Sequence, residues 1–202
     1  MSQYQPGSGD GQPNPGYAPP QHPLSGTRPA SATNQILYWL LDGLIFGIPI
    51  MILTLLGLIP YFMNLFNVMA QPRGLSEGAQ EQQFSQLMGS MLIVVGVFAL
   101  AMLVYFVVFS WFIAVKGQTP GMRILGLRLV SVHTGQPVGW KLALLRNAVL
   151  ILGNQFTGGI LGLLFWLSPL FDTQSGWNQS WQDKMVKAVL INVKEGRDTF
   201  QA

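Results

Sequence analysis

Asp42 is the single charge in an otherwise apolar run from Ile36 to Ile59. About six residues into a helix, it would lie roughly 9 Å past the start, where an unpaired carboxylate is costly in a bilayer. Three things can neutralise it: a cationic partner such as Arg146 or Lys141 from a neighbouring helix, a proton on the carboxyl, or a bound cation. The first would be structural and the other two functional, and the residues leave all three open. Gln35, two turns earlier on the same face, can supply a neutral hydrogen bond. Arg146 and Asn147 open the last apolar run. They can act as a snorkelling anchor, as a contact for anionic lipid headgroups, or as the completion of a polar site with Asp42.

A second set of charges, Arg123, Arg128, Asp172, Asp183 and Lys184, lies outside the apolar runs and is expected to form a cytoplasmic cluster. Arg123 and Arg128 read first as topology determinants and second as groups that recognise an anion or lipid. Asp183 follows Ser180 by three residues, the spacing of a helix-capping pair, with Lys184 and Lys187 continuing the polar side. His133 falls in a turn and His22 in the leading tail, where lone imidazoles are ordinarily solvated. The chain lacks cysteine, a phosphate-cradling glycine loop with its lysine, HExxH and GxSxG. No metal site, cofactor or enzymatic activity is therefore expected.

Three apolar runs must position these groups, at about 36–59, 87–115 and 148–171, each long enough for the roughly 20 residues that cross a bilayer. The first contains Pro49 with Gly43, Gly47 and Gly57, which favours a kink or close helix contact. Tyr61 to Gln86 reads as a connecting loop with a short amphipathic piece. In the second run Tyr105 and Trp111 stand toward the far end, at headgroup level, and Gly89, Ser90, Gly96, Ala99 and Ala101 are expected to face the inside of the bundle. The third is interrupted by Gly153-Asn154-Gln155 and Thr157-Gly158-Gly159. It either spans once or forms a helical hairpin that raises the number of spans from three to four, and the basic residues of the C-terminal segment favour the hairpin.

Between the second and third runs, Lys116 to Arg146 carries five basic residues and no acid, which the positive-inside rule assigns to the cytoplasm. Met122 to Val132 is rich in Leu, Val and Ile and ends at the turn residues Thr134-Gly135-Gln136-Pro137, so a short strand is expected there. Residues 1–33 are Pro, Gly, Gln and Ser with little apolar content, the composition of a disordered tail, and lack the pattern of a secretory signal. The expected division is thus a cytoplasmic tail at 1–33, an all-α transmembrane bundle with a short β-like segment at 34–193, and a C-terminal tail at 194–202. Half of the residues are hydrophobic and only 9% are charged, far from the composition of a soluble domain. The net charge of +3 follows membrane topology, and no basic, aromatic-interleaved face suited to nucleic acid is present.

Taken together, Tyr38-Trp39-Leu40-Leu41-Asp42-Gly43, the segment from Gly117-Gln118-Thr119-Pro120-Gly121 through Arg123 and Arg128 to Val130, Arg146-Asn147, Leu170-Phe171-Asp172 and Trp181-Gln182-Asp183-Lys184 resemble the RDD family of bacterial membrane proteins. The resemblance covers most of residues 35–193. It implies a helical bundle in the cell membrane and, for some members, a suggested transport or cation/proton exchange role. It also makes Asp183 the second family aspartate, whose contact with Arg123, Arg128 or Arg146 would dock the C-terminal segment. The family arginine position, seven residues before Asp42, is here Gln35, with Arg28 displaced into the tail.

Two functions follow as expectations. One is movement of an ion or small solute with Asp42 as the intramembrane carboxylate, in a homo-oligomer large enough to enclose a path. The other is a non-transporting accessory or assembly subunit of a larger membrane or envelope complex, with the proline-rich tail binding a partner. Either places the chain in the bacterial inner membrane as a multi-pass protein with a cytoplasmic N-terminus, in contact with lipid including anionic headgroups.

Overall fold

The computed structural model describes residues 22–70, 76–172 and 174–200. Helix α1 (Ala32–Ala70) and helix α2 (Glu77–Trp111) are both long and apolar enough to cross a membrane. Their apolar faces are open, with Leu56 and Leu92 57% and 66% exposed, as lipid-facing leucines are before a bilayer covers them. The connection between them is far shorter than the loop expected over Tyr61 to Gln86: α1 runs on past Pro60, and α2 begins at Glu77 behind Ser76. Residues 61–70 of α1 are themselves mostly apolar and continue its helix, while the Glu, Ala and Gln residues at the start of α2 propagate a helix without belonging to the apolar run.

The α1–α2 contact is aromatic, with Phe46 edge-on to Tyr105 and Phe109 at centroid distances of 5.5 and 5.7 Å. Gly89, Gly96 and Ala99, expected inside, are exposed instead, and among the described residues nothing beyond its own helix lies within 4 Å of a Cβ placed at either glycine. Among the described residues α1 alone lies beside most of the length of α2, which leaves that face outward. Ser90 is the buried member of the set, its hydroxyl donating to the Leu87 carbonyl.

A π-helical turn, Phe112–Lys116, ends α2 and leads into a compact polar layer. Here Met122 to Val132 is only half strand. Thr119 caps a short helix α3 (Pro120–Leu125) by accepting from the Met122 N–H at 3.2 Å, Pro120 fits its first turn, and Gly126 at φ 71° ends it. Strand β1 (Leu127–Ser131) follows and, after helices α4 (Gly139–Phe156), α5 (Ile160–Leu167) and α6 (Trp181–Met185), pairs antiparallel with β2 (Ala188–Asn192), Leu129 opposite Leu190. Ile113, Met122, Leu127, Leu129 and Leu190 are almost wholly enclosed. At roughly 1.5–3 kcal/mol per buried side chain, the packed core of the chain lies in this layer rather than between the long helices.

Both terminal segments belong to the layer. Of the expected tail at 1–33, residues 1–21 lie outside the described residues, but 22–31 are packed. Leu24 and Ala30 are buried, and the Ala30 N–H donates to Leu190 O at 2.9 Å as the Asn192 N–H does to Arg28 O at 2.8 Å. Composition missed this because a segment bridged to a sheet edge at Pro29 is held mainly by backbone hydrogen bonds, not by its side chains. Likewise 194–200 is no free tail: Arg197 donates to Pro23 O at 2.8 Å and Thr199 to Gly135 O at 2.5 Å.

The last apolar run breaks at Thr157-Gly158-Gly159, both glycines at positive φ, and folds back on itself. Gly153 faces Leu161 and Phe165, and Gly162 faces Asn154. The Trp166 indole then donates to Ile36 O at 3.1 Å, returning the end of α5 to the start of α1.

A buried polar junction beneath the long helices

Arg146 projects from α4 into the junction between the helices and the polar layer, 1% exposed. Its Nε meets Asp183 Oδ1 at 2.7 Å, its Nη2 donates to the Tyr38 hydroxyl at 3.2 Å, and its Nη1 reaches Asn147 Oδ1 at 3.5 Å. Asn147 Nδ2 donates in turn to Ser110 Oγ at 2.9 Å. Asp183 is held from its own side by Ser180, which caps α6: the hydroxyl donates to Oδ2 at 2.5 Å, and the Asp183 N–H returns to Ser180 Oγ at 3.3 Å. Helices α1, α2, α4 and α6 are tied by one charge pair and its neutral hydrogen bonds. Of the three arginines open to Asp183 in the sequence, Arg146 is its partner.

Asp42 is not paired with Arg146 or Lys141. Thr119 donates to its Oδ2 at 2.5 Å and the Gly121 N–H to its Oδ1 at 2.8 Å, and the side chain is buried. Asp42 therefore holds the start of α3 against α1 through neutral donors alone. Gln35 does not reach it either; its amide donates to the Ala30 carbonyl at 3.3 Å and so fixes the packed leading segment. Tyr38, Ser110 and Thr119 were not foreseen as site residues. Tyr38 carried a readable signal, standing four residues before Asp42 on the same helical face. Thr119 carried another, as a capping residue before proline.

The charged residues expected as one cluster lie in three places. Asp183 is part of the junction. Asp172 pairs with Lys184 Nζ at 2.9 Å and also accepts from the Ser175 hydroxyl and the Gln179 N–H. Burial alone would raise its carboxyl, but these hydrogen bonds prevail and hold it at about 2, below the ordinary 3.8. A depressed folded-state value contributes stability above about pH 4 that is lost as pH falls toward 2. The melting temperature of wild type should therefore exceed that of Asp172→Asn by a constant margin from pH 5 to 7, with the gap closing between pH 4 and 2. A gap that stays constant down to pH 2 would contradict that account. The third place holds Arg123, exposed, and Arg128, whose Nη1 is 3.2 Å from Asp198 and whose guanidinium lies 4.7 Å from the Phe200 ring.

Above the junction α1, α2, α4 and α5 line a cleft of about 500 Å³, walled mainly by apolar side chains such as Leu44, Phe106 and Leu150, with Asn147, Asn154 and Gln155 as polar points. Among the described residues no group of three or more His, Asp or Glu could hold a metal.

No curated protein and no solved structure matches the chain. The RDD family model matches residues 29–187, from the packed leading segment through Asp42 and Arg146 to the end of α6. The match takes in both long apolar helices and both acidic anchors of the junction, and the chain is a membrane protein belonging to the RDD family.

Proposed function

We propose that this chain exchanges a small monovalent cation for protons across the bacterial inner membrane, with Asp42 as the exchanging carboxylate. The observation that carries the reading is the division of charge at the junction: Arg146 pairs with Asp183 through Nε and gives its other nitrogens to Tyr38 and Asn147, whereas Asp42 is buried against Thr119 and Gly121 with no ion pair among the described residues. A carboxylate in that setting is neutralised by a proton or a bound cation, and alternation between the two is exchange. In this reading α1 and α2 span the membrane, the α4–α5 hairpin enters and returns, and both termini lie in the cytoplasm beside the basic segment 116–146. A homo-oligomer encloses the path.

The accessory-subunit reading is favoured by a different observation, the outward face of Gly89, Gly96 and Ala99 on α2, which lets a helix of another subunit approach closely. Proteoliposomes containing the purified chain separate the two. With a cation gradient and an internal pH dye, wild type should exchange protons and Asp42→Asn should lose at least about tenfold in rate while melting near the wild-type temperature. Absence of exchange by folded wild type over a panel of monovalent cations would reject transport by the isolated chain and leave the accessory reading.

A further inference from the structure

Where the π-helical turn after α2 meets α3 and β1, Lys116, Arg123 and Arg128 line a groove of about 700 Å³ with Gln118, Phe112 and Phe200. We propose that this groove binds the phosphate-bearing headgroup of an anionic membrane lipid, independently of whether the chain transports anything. Its charge is unbalanced: among the described residues no carboxylate pairs with Lys116 or Arg123, and Asp198 alone approaches, at the Arg128 edge. Arg128 is 12% exposed, yet its Nε has no hydrogen-bond partner among the described residues. Its Nη1 contact with Asp198, 3.2 Å long, brings opposite charges together without hydrogen-bond geometry. Gln118 Oε1 accepts from Nη2 at 3.3 Å. Buried guanidinium donors normally have acceptors, and phosphate oxygens are acceptors that guanidinium groups match well.

The surroundings select a lipid as the source of that phosphate. The groove lies at the end of α2, whose stretch after Gln86 carries no charge up to Lys116. Lys116 Nζ stands 4.5 Å from the Trp111 ring and 5.4 Å from that of Phe112, an arrangement suited to the headgroup level where aromatic rings settle. Ile124, on the same wall, is 56% exposed and offers an apolar flank along which an acyl chain can leave the cations.

Native mass spectrometry of the full chain in detergent tests this, with dioctanoyl phosphatidylglycerol and dioctanoyl phosphatidylcholine as probes and inorganic phosphate as competitor. Phosphatidylglycerol should be retained over phosphatidylcholine. Lys116→Gln and Arg123→Gln should each weaken retention roughly fivefold, about what one cation near an anionic lipid surface contributes. Lys141→Gln, an equal loss of charge elsewhere in the basic segment, should leave it unchanged. Arg123 is exposed and its side chain holds nothing in place, so its variant folds. Equal retention of the two lipids, or equal weakening by Lys141→Gln, would overturn the site. Displacement of phosphatidylglycerol by equimolar inorganic phosphate would overturn the lipid assignment in favour of a free-phosphate site.

Discussion

Arg146→Met should destabilise the protein by about 3–5 kcal/mol, the usual cost of leaving one partner of a buried ion pair unmatched. Asp183 is 1% exposed on its side chain and would keep only Ser180 as a donor. Removing the guanidinium also strips Tyr38 and Asn147 of a donor, so the loss reaches α1 and α2 as well as α6. Reversible unfolding in mild detergent, followed by circular dichroism, measures it. The double variant Arg146→Met, Asp183→Leu should regain most of the loss, because two apolar side chains replace a buried pair at little cost. A residual deficit of about 1–2 kcal/mol should persist from the orphaned Tyr38 and Asn147 groups. A loss below about 1 kcal/mol for Arg146→Met would mean that water reaches Asp183 and that the pair does not clamp the C-terminal segment.

What was legible beforehand follows from the kind of signal each element carries. The two long helices announce themselves by apolar length, and the turn residues after Phe156 mark the fold-back. The start of α2 lies before its apolar run because a helix continues through polar residues of good propensity, and α1 runs past Tyr61 because residues 61–70 stay mostly apolar and two asparagines do not stop it. The pairing of Pro29 with Ile191 was missed for a deeper reason: backbone hydrogen bonding of an edge segment leaves almost no mark on side-chain composition. Asp42, Arg146 and Asp183 stood out because charge is scarce here, but scarcity does not say which charge meets which. Arg146 and Asp183 are 37 residues apart, and although the turn residues mark the return of α5, where that return sets the segment carrying Asp183 is not encoded by any local pattern. The donors to Asp42 are a threonine already committed as a helix cap and a backbone amide, groups that a search among charged residues passes over.

That backbone donor makes Gly121 a strict test of the contact between α1 and α3. A Cβ there would meet the Tyr38 carbonyl oxygen at 2.7 Å, Asp42 Oδ1 at 2.8 Å and Asp42 Cγ at 3.0 Å. The carboxylate can rotate, whereas the carbonyl can yield only if α1 moves. Gly121→Ala should therefore cost about 1–3 kcal/mol, as overpacking against fixed atoms does, and should weaken the hydrogen bond that places Asp42. Gly96→Ala supplies the contrast, since among the described residues nothing beyond its own helix lies within 4 Å of a Cβ there and the substitution should be neutral or stabilise α2 by up to about 1 kcal/mol. In an Asp42→Ala background the side-chain clash disappears but the clash with Tyr38 does not, so Gly121→Ala should still destabilise. If the cost vanishes in that background, the close approach is made by the carboxylate alone, and the α1 and α3 backbones have more freedom than the geometry gives them. If it persists, α3 is seated on α1 by backbone contact. The donors at Thr119 and Gly121 then stand preplaced around the Asp42 carboxylate, held there by the backbone of α3 rather than by the side chain they contact.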